Sequence, residues 1–344
     1  MPSLKEIKGR INSISSTLAI TSAMKMVAAA KLQKAQMAIQ NMLPYERRLH
    51  SMLIDLMGAV NMSAPASEEG SARLVSLSNQ PDHTESEGAY SLMAQREVRK
   101  VAIVAFASNS SLCGAFNSNV IREATAVINE YRASGLGDAD ITVYSVGRKM
   151  AEAMKKLGFP SPADFTKMSD SPSYDAASAL AQELLDGFVS GRFDKVELVY
   201  NHYKSTSSQP TIRQTYLPLS LADATADLQA GKIADSASES DTNRGAEPVG
   251  APVVRQGSPT TEDLIVEPSK EELIATILPK VVRLRVFTTL LDSTAAEQAA
   301  RTVAMQLATD NGNDLLQELT LEYNKGRQQK ITSEILDLVG GSMQ

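Results

Sequence analysis

Apolar residues near the start of the chain recur at alternating steps of three and four: Leu4, Ile7, Ile11, Ile14, Leu18, then Ala28, Leu32, Ala35, Ile39, Met42, then Leu49, Leu53, Leu56. A period of 3.5 held for about seven heptads is the signature of a coiled-coil seam. Ser3, with Glu6 three residues on, reads as a capping box. The helix is expected to run to about Val60, with Pro44 a local bend. A second helical segment extends from about Ser269 to about Val339, opened by a second capping box, Ser269 with Glu272. Its stripe (Ile277, Val281, Leu284, Leu291, Ala295, then Met305, Leu316, Leu319, Tyr323) drifts more than the first, and Thr, Gln and Gly occupy several seam positions. That pattern predicts an asymmetric, loosely packed pair. At 1.5 Å per residue the two helices would be about 80 Å and 100 Å long. A compact domain of this chain length has a radius of gyration of only about 20 Å. The helices must therefore project from any globular body as a shaft.

One stretch departs from two-sided patterning. In Ala23-Met24-Lys25-Met26-Val27-Ala28-Ala29-Ala30 the apolar residues cover nearly every face. A helix apolar all round is enclosed on all sides. A single partner helix cannot do this, so other chains are expected around it.

Between the helices the period changes. Residues 61–97 are rich in Ser, Glu, Gly and Pro and read as a flexible insert. The run Val101-Ala102-Ile103-Val104-Ala105-Phe106 reads as a buried parallel strand. A small-residue turn (Ser108 to Asn117) and a helix to about Tyr131 follow. Next come a strand at Ile141 to Val146, helices at Arg148 to Leu157 and about Ala176 to Val189, and a strand at Lys195 to Tyr203. Thr211 to Leu219 alternates as an edge strand does. Alternating βα units of this spacing predict a small three-layer α/β domain. Residues 221–262 form a second low-complexity insert. The chain thus divides into an N-terminal shaft helix (1–60), an insert (61–97), an α/β foot (98–220), a second insert (221–262) and a C-terminal shaft helix (263–344).

Composition is that of an ordinary soluble protein: 344 residues, 43% hydrophobic, 22% charged, net charge -6. Few aromatics (5%) and no Trp suit helices better than a large β-sandwich. Mild acidity argues against nucleic acid as a partner. The charge is uneven, with eight basic and two acidic groups in residues 1–48, so the first helix suits an acidic protein surface. Cys113 is the only cysteine, which excludes an internal disulfide and a four-cysteine metal site. His50, His83 and His202 stand apart without ligand spacing. No run approaches the ~18 apolar residues of a membrane span, and the N-terminus carries neither signal core nor transit segment. The expectation is a cytosolic chain held at a membrane by partners.

Candidate chemistry is sparse. The turn Ser108-Asn109-Ser110-Ser111-Leu112-Cys113-Gly114-Ala115-Phe116-Asn117 lies where a doubly wound fold binds phosphate, yet it has no GxGxxG or GxxxxGK[ST]. A structural turn is the favoured reading, and Cys113, with no His or Asp near it in sequence, reads as buried and inert. The helical carboxylate pairs Asp310/Asp314 and Glu318/Glu322 read as a solvated face or as partner contacts. No catalytic, cofactor or metal site is expected.

The two ends carry longer motifs. Ile7-Lys8-Gly9-Arg10-Ile11 with Ile20-Thr21-Ser22-Ala23-Met24-Lys25-Met26-Val27-Ala28-Ala29-Ala30-Lys31-Leu32 closely resembles the N-terminus of the gamma subunit of F-type ATP synthases. Glu297-Gln298-Ala299-Ala300-Arg301 through Ala308-Thr309-Asp310-Asn311 resembles that family's last helix, and Ile331-Thr332-Ser333-Glu334-Ile335-Leu336-Asp337-Leu338-Val339-Gly340-Gly341 looks like its signature. The central turn is similar too, with Asn109, Ser110 and Ser111 in place of the family's usual Asp-Arg-Gly. The resemblance implies an antiparallel coiled coil of the terminal helices with a central three-layer, Rossmann-like α/β domain. It implies a rotor shaft without bond chemistry, turning inside a hexamer of three alpha and three beta subunits. The foot would sit on the membrane c-ring and hold the epsilon subunit. Ion flow through the ring, proton or sodium, would thereby be coupled to ATP synthesis or hydrolysis. Carried over residue by residue, Met24, Lys25, Glu297, Arg301, Arg327, Gln328, Thr332 and Glu334 would contact the hexamer, and Glu267 the ring. The place implied is peripheral, on the cytoplasmic face of a bacterial plasma membrane. A rival reading, a coiled-coil scaffold or tether with a regulatory α/β head, explains the heptads but not the all-round apolar segment.

Overall fold

The computed structural model describes residues 3–62, 92–93, 95–219 and 270–342. Two helices dominate it: α1 (Leu4–Met62) and the last helix, α6 (Lys270–Ser342). Their 59 and 73 residues correspond to about 90 Å and 110 Å of helix. They pair antiparallel: Leu4 lies against Gly326 and Leu18 against Gly312, while Thr21 meets Thr309 (3.0 Å) and Glu46 accepts from Thr288 (3.1 Å). The 3.5-residue stripe faces the partner throughout. Ile7, Ala28, Leu32, Ala35, Leu53 and Leu56 are buried, and Leu4, Ile11, Ile14, Leu18, Ile39, Met42 and Leu49 are half-buried. Both helices continue through a proline, Pro44 and Pro279. Pro44 is exposed, so water can serve the carbonyl its ring leaves unbonded.

Between the helices lies a four-stranded sheet of order β2-β1-β3-β4, built from β1 (Val101–Phe106), β2 (Ile141–Val146), β3 (Lys195–Asn201) and β4 (Thr211–Leu217). β1 pairs parallel with β2 and β3, and β4 is the antiparallel edge, with an irregularity at Val196/Glu197. Every residue of β1 is buried, as its unbroken apolar run requires when both faces are covered. Val101, Ile103 and Ala105 face α2 (Phe116–Ala133) and α3 (Arg148–Lys156). Ala102, Val104 and Phe106 face α5 (Tyr174–Val189), which is capped by Ser173 Oγ accepting from the Ala176 N–H. A one-turn helix, α4 (Thr166–Asp170), which no period in the sequence announces, precedes α5.

The second face is completed by the shaft itself. Ile274, Ile277, Leu278, Val281, Val282, Val286 and Leu290 of α6, with Leu53 and Leu56 of α1, belong to the same apolar cluster as α5 and the sheet. The Tyr216 hydroxyl, fully buried, donates to the Val282 carbonyl at 3.0 Å. Leu92, in the stretch read as insert, is also buried in this cluster. The beginning of α6 is thus a layer of the foot, and the same helix leaves the foot as shaft. Glu267, the Ser269 cap, residues 63–91 and 94 of the first insert and all of 221–262 lie outside the described residues.

Candidate functional site

The surfaces that lack a partner among the described residues mark the candidate site. α1 begins opposite Gly326, so α6 beyond that point has no described helix beside it. From Arg327 to Ser342 it continues for about 24 Å. Residues 327–336, 338 and 339 are all exposed, with Leu336 at 65% and Leu338 at 75%. Arg327, Gln328, Thr332 and Glu334 all stand on this overhang. The Thr332 hydroxyl donates back to the Gln328 carbonyl (2.8 Å), and Glu334 lies 3.8 Å from Lys330, a solvent-exposed pair of little energetic weight.

A second unpartnered surface lies midway along the shaft. Of the apolar residues in the all-round apolar stretch, Ala28 (1% exposed) is the one buried among the described residues. Ile20, Met24, Met26 and Val27 are 41–65% exposed, as are Val303 (43%) and Leu307 (61%) on the facing helix. Thioether and alkyl side chains in a belt around both helices give contact without directional bonds. Lys25 does not join this outer belt: it turns across the seam and donates to Gln306, whose amide in turn donates to Asp310 at 2.8 Å.

Glu297 and Arg301 are also turned inward. Their side chains are 8% and 14% exposed and pair at 2.7 Å. The other arm of the Arg301 guanidinium donates to Ser110 Oγ at 2.7 Å, tying α6 to the turn after β1. Burial pushes the Glu297 carboxyl above its ordinary range, and the neighbouring Asp170 adds to this, although Arg301 opposes both. In the turn itself, polar groups bond one another: the Ser108 N–H donates to Asn117 Oδ1 (3.0 Å), and Asn117 Nδ2 approaches Cys113 Sγ (3.1 Å). Cys113 is buried at 1% exposure. Gly147, after β2, has φ +95° and a position where a Cβ would lie 2.1 Å from the Ala107 carbonyl, so only glycine lets these two strand ends close on each other.

Two further arrangements join residues that are distant in sequence. The loop after β3 meets the shaft: His202 Nδ1 lies 2.6 Å from Asp292 Oδ2, the Tyr203 N–H donates to Asp292 Oδ1 at 2.8 Å, and Gln36 Nε2 donates to the Tyr203 hydroxyl at 2.7 Å. The partners are 89 to 167 residues apart in sequence, beyond any spacing rule. Asp292 holds the His202 imidazole above its ordinary pKa. The second arrangement surrounds Glu197 in the foot. This carboxylate, 1% exposed, accepts from Tyr131 (2.6 Å), Lys195 (2.7 Å) and Arg213 (2.7 Å). Burial penalises its charge, but the donors together outweigh that and hold it below its ordinary range. A charge inside the apolar run Val196-Glu197-Leu198-Val199 was the available hint. Among the described residues no cluster of His, Cys, Asp and Glu is arranged to hold a metal, and no helix is long and apolar enough to cross a membrane.

Comparison with known proteins places this geometry in context. A family model described as ATP synthase matches residues 3–343. The ATP synthase gamma chain of Phocaeicola vulgatus is 48% identical over 343 residues, covering all of both chains, and that of Bacteroides thetaiotaomicron is 47% identical over 344. The gamma chain of Flavobacterium johnsoniae is 37% identical, covering 99% of this chain and 98% of its own. Among solved structures, a chain of the Euglena gracilis mitochondrial ATP synthase (OSCP/F1/c-ring, rotational state 3) superposes with a TM-score of 0.54 at 19% identity, covering 99% of this chain and 93% of that one. A chain of the rotor of the same enzyme gives 0.51, also at 19%, covering 95% and 98%. At that identity the likeness is one of fold.

Proposed function

Since this chain belongs to the ATP synthase gamma-chain family, we propose that it is the central shaft of a rotary ATP synthase. In this role it couples ion flow through a membrane ring to ATP synthesis or hydrolysis on other subunits and breaks no bond itself. The observation that carries the reading is the pairing of an unpartnered helical tip with a solvent-facing apolar belt, on a shaft rooted in the core of its own foot. Partners follow from the role: three alpha and three beta subunits around the shaft, an epsilon subunit and the c-ring at the foot. The assembly would place the chain peripherally on the cytoplasmic face of a plasma membrane. The foot is read as a Rossmann-like three-layer unit over 98–220, completed by the first turns of the last helix. The helices over 1–60 and 263–344 form the shaft, and 61–97 and 221–262 are inserts.

The physics of coupling is differential contact. Three catalytic sites of identical sequence differ only if something asymmetric touches them. A shaft orientation shifts a site between nucleotide-binding states by its difference in contact energy with those states, tenfold for each ~1.4 kcal/mol. A two-helix shaft with a single-helix tip is asymmetric about its own axis. Apolar, flexible Met24 and its neighbours exclude water without locking. Arg327, Gln328, Thr332 and Glu334 supply the directional contacts at the tip. Lys25, Glu297 and Arg301, whose polar atoms are engaged within the chain, support the contact surface by fixing its shape. Glu267 is retained as the proposed contact to the ring.

Affinity capture of the chain from native membranes, with subunit identification and a hydrolysis assay, tests the role. One copy of the chain with three alpha and three beta subunits, and ATPase activity that the chain alone lacks, is the expected outcome. Capture of the chain alone, without ATPase, would return the scaffold reading. In the same complex, Arg327→Ala and Thr332→Ala are expected to leave assembly intact and to lower ATP-driven ion pumping. Normal pumping in both would remove these residues from the coupling contacts.

A further inference from the structure

Tyr203 occupies a position that neither the helix pairing nor the sheet explains. It follows β3 directly, and its ring packs against two separate apolar clusters. One is the shaft seam of Leu32, Ala35, Ala295 and Ala299; the other is Cys113, Phe116 and Ala296 at the end of the sheet. Its N–H donates to Asp292 of α6 and its hydroxyl accepts from Gln36 of α1. One residue therefore touches both shaft helices and the foot. The residues on either side are also fixed. Asn201 donates to the Phe116 carbonyl (3.1 Å) and accepts from Thr211 (2.6 Å), and His202 engages the second oxygen of Asp292. Asp292 is 18% exposed and accepts from both neighbouring residues at once.

We propose that Tyr203 and Asp292, with Gln36, form the joint that locks the foot to both helices of the shaft, so that torsion applied at the foot turns the two helices together. This rests on the rotor reading given above. The mechanical argument comes from connectivity. α6 enters the shaft directly from the core of the foot, where Ile274, Leu278, Val282, Val286 and Leu290 are buried, so rotation of the foot reaches it through the backbone. α1 packs on the foot only near its C-terminal end, at Leu53 and Leu56, and its shaft portion is carried by side-chain contacts with α6. Those contacts include small and polar seam residues (Ala28, Ala35, Thr21 against Thr309), which resist sliding less than interlocked large side chains do. A hydrogen-bonded tie from the end of β3 to α1 at Gln36 and to α6 at Asp292 closes a triangle at the level where the shaft leaves the foot. Tyr203 and Asp292 are thus positioning residues, acting on distant catalytic sites through the stiffness of the rod.

The test is single-molecule rotation of the assembled complex, with the hexamer immobilised and a bead on the ring, comparing wild type with Asp292→Ala, Asp292→Asn and Tyr203→Phe. The readout is the variance of bead angle during catalytic pauses, together with subunit stoichiometry and bulk ATPase. Asp292→Ala is expected to widen the angular variance roughly twofold, on the scale of losing ordinary hydrogen bonds, with stoichiometry and ATPase near wild type. Asp292→Asn, which keeps an acceptor for the Tyr203 N–H, should recover most of the stiffness, and Tyr203→Phe should give a smaller widening. Unchanged variance in both Asp292→Ala and Tyr203→Phe would overturn the joint. Should Asp292→Ala not assemble, unchanged variance in Tyr203→Phe overturns it alone. A wild-type complex that does not rotate under ATP would instead overturn the rotor reading itself.

Discussion

Glu197 shows what a single residue contributes here. It is a charge inside a strand, sealed from water, and it persists because Tyr131, Lys195 and Arg213 converge on it. Removing one partner of a buried pair strands the others. Arg213 and Lys195 keep about a quarter of their side-chain surface in water and can re-solvate. Glu197→Gln is therefore expected at the lower end of the usual range, a loss of about 3 kcal/mol. Hydrogen exchange on the assembled complex reads this as roughly hundredfold faster opening of the β3 amides, and unaltered exchange would mean the network does not stabilise the foot. The pH dependence has a definite sign. The folded carboxyl titrates below its ordinary value of 4.5, so its contribution is complete above that pH and is lost as pH falls through the folded value. The mismatch of a Glu in an apolar strand was visible in the sequence. Lys195, two residues away on the same strand face, was local, but the other two partners were not legible, because Tyr131 and Arg213 lie 66 and 16 residues away.

At the scale of the element, the period of the apolar stripe in α1 told which residues face the partner, and the looser stripe of α6 told that the fit is uneven. The unevenness has a location. A Cβ on Gly312 would lie 2.7 Å from Leu18 Cδ2 and 3.2 Å from its Cγ, so the Leu18 side chain fills the place of the missing methyl. Alanine gains about 1 kcal/mol over glycine in helix propensity, while forcing a methyl into a filled seam costs about 1–3 kcal/mol. The second effect wins at Gly312. Gly312→Ala should speed amide exchange of residues 305–320 in the assembled complex, and adding Leu18→Ala should reverse part of the change. At Gly326 the nearest atom, Leu4 Cδ2, is 3.1 Å away at the end of a flexible side chain in the first turn of α1. Gly326→Ala is accordingly expected to be neutral or mildly stabilising. Equal effects at the two glycines would contradict this account of the seam.

For the whole molecule, the decisive quantity is the apolar surface left uncovered. Met24, Met26, Val27, Leu307, Leu321, Leu336 and Leu338 are all large, and all 41% exposed or more. Burying one such side chain is worth about 1.5–3 kcal/mol, so a chain that leaves a belt and a tip open is incomplete without partners. The isolated chain is expected to elute from gel filtration as a concentration-dependent self-associated species, whereas the same chain with its hexamer elutes as one defined complex. A discrete, concentration-independent isolated monomer would show that the exposed belt does not drive association.

The elements whose cause is local were legible along the chain. The heptad stripe, the buried run of β1, the alternating βα order and the absence of nucleophile or ligand spacing all follow from the chemistry of near neighbours along the chain. The enclosed-on-all-sides pattern at Ala23–Ala30 pointed to partners before any fold was known. Where long separations close emerged only from packing. It made the first turns of the last helix a layer of the foot, turned Lys25, Glu297 and Arg301 inward while leaving Arg327, Gln328, Thr332 and Glu334 on an open tip, and set His202 and Tyr203 against Asp292 and Gln36. Helical and strand periods repeat over a few residues and constrain a face, but they carry no information about which distant side chain will meet that face. That choice is made when the whole core packs at once.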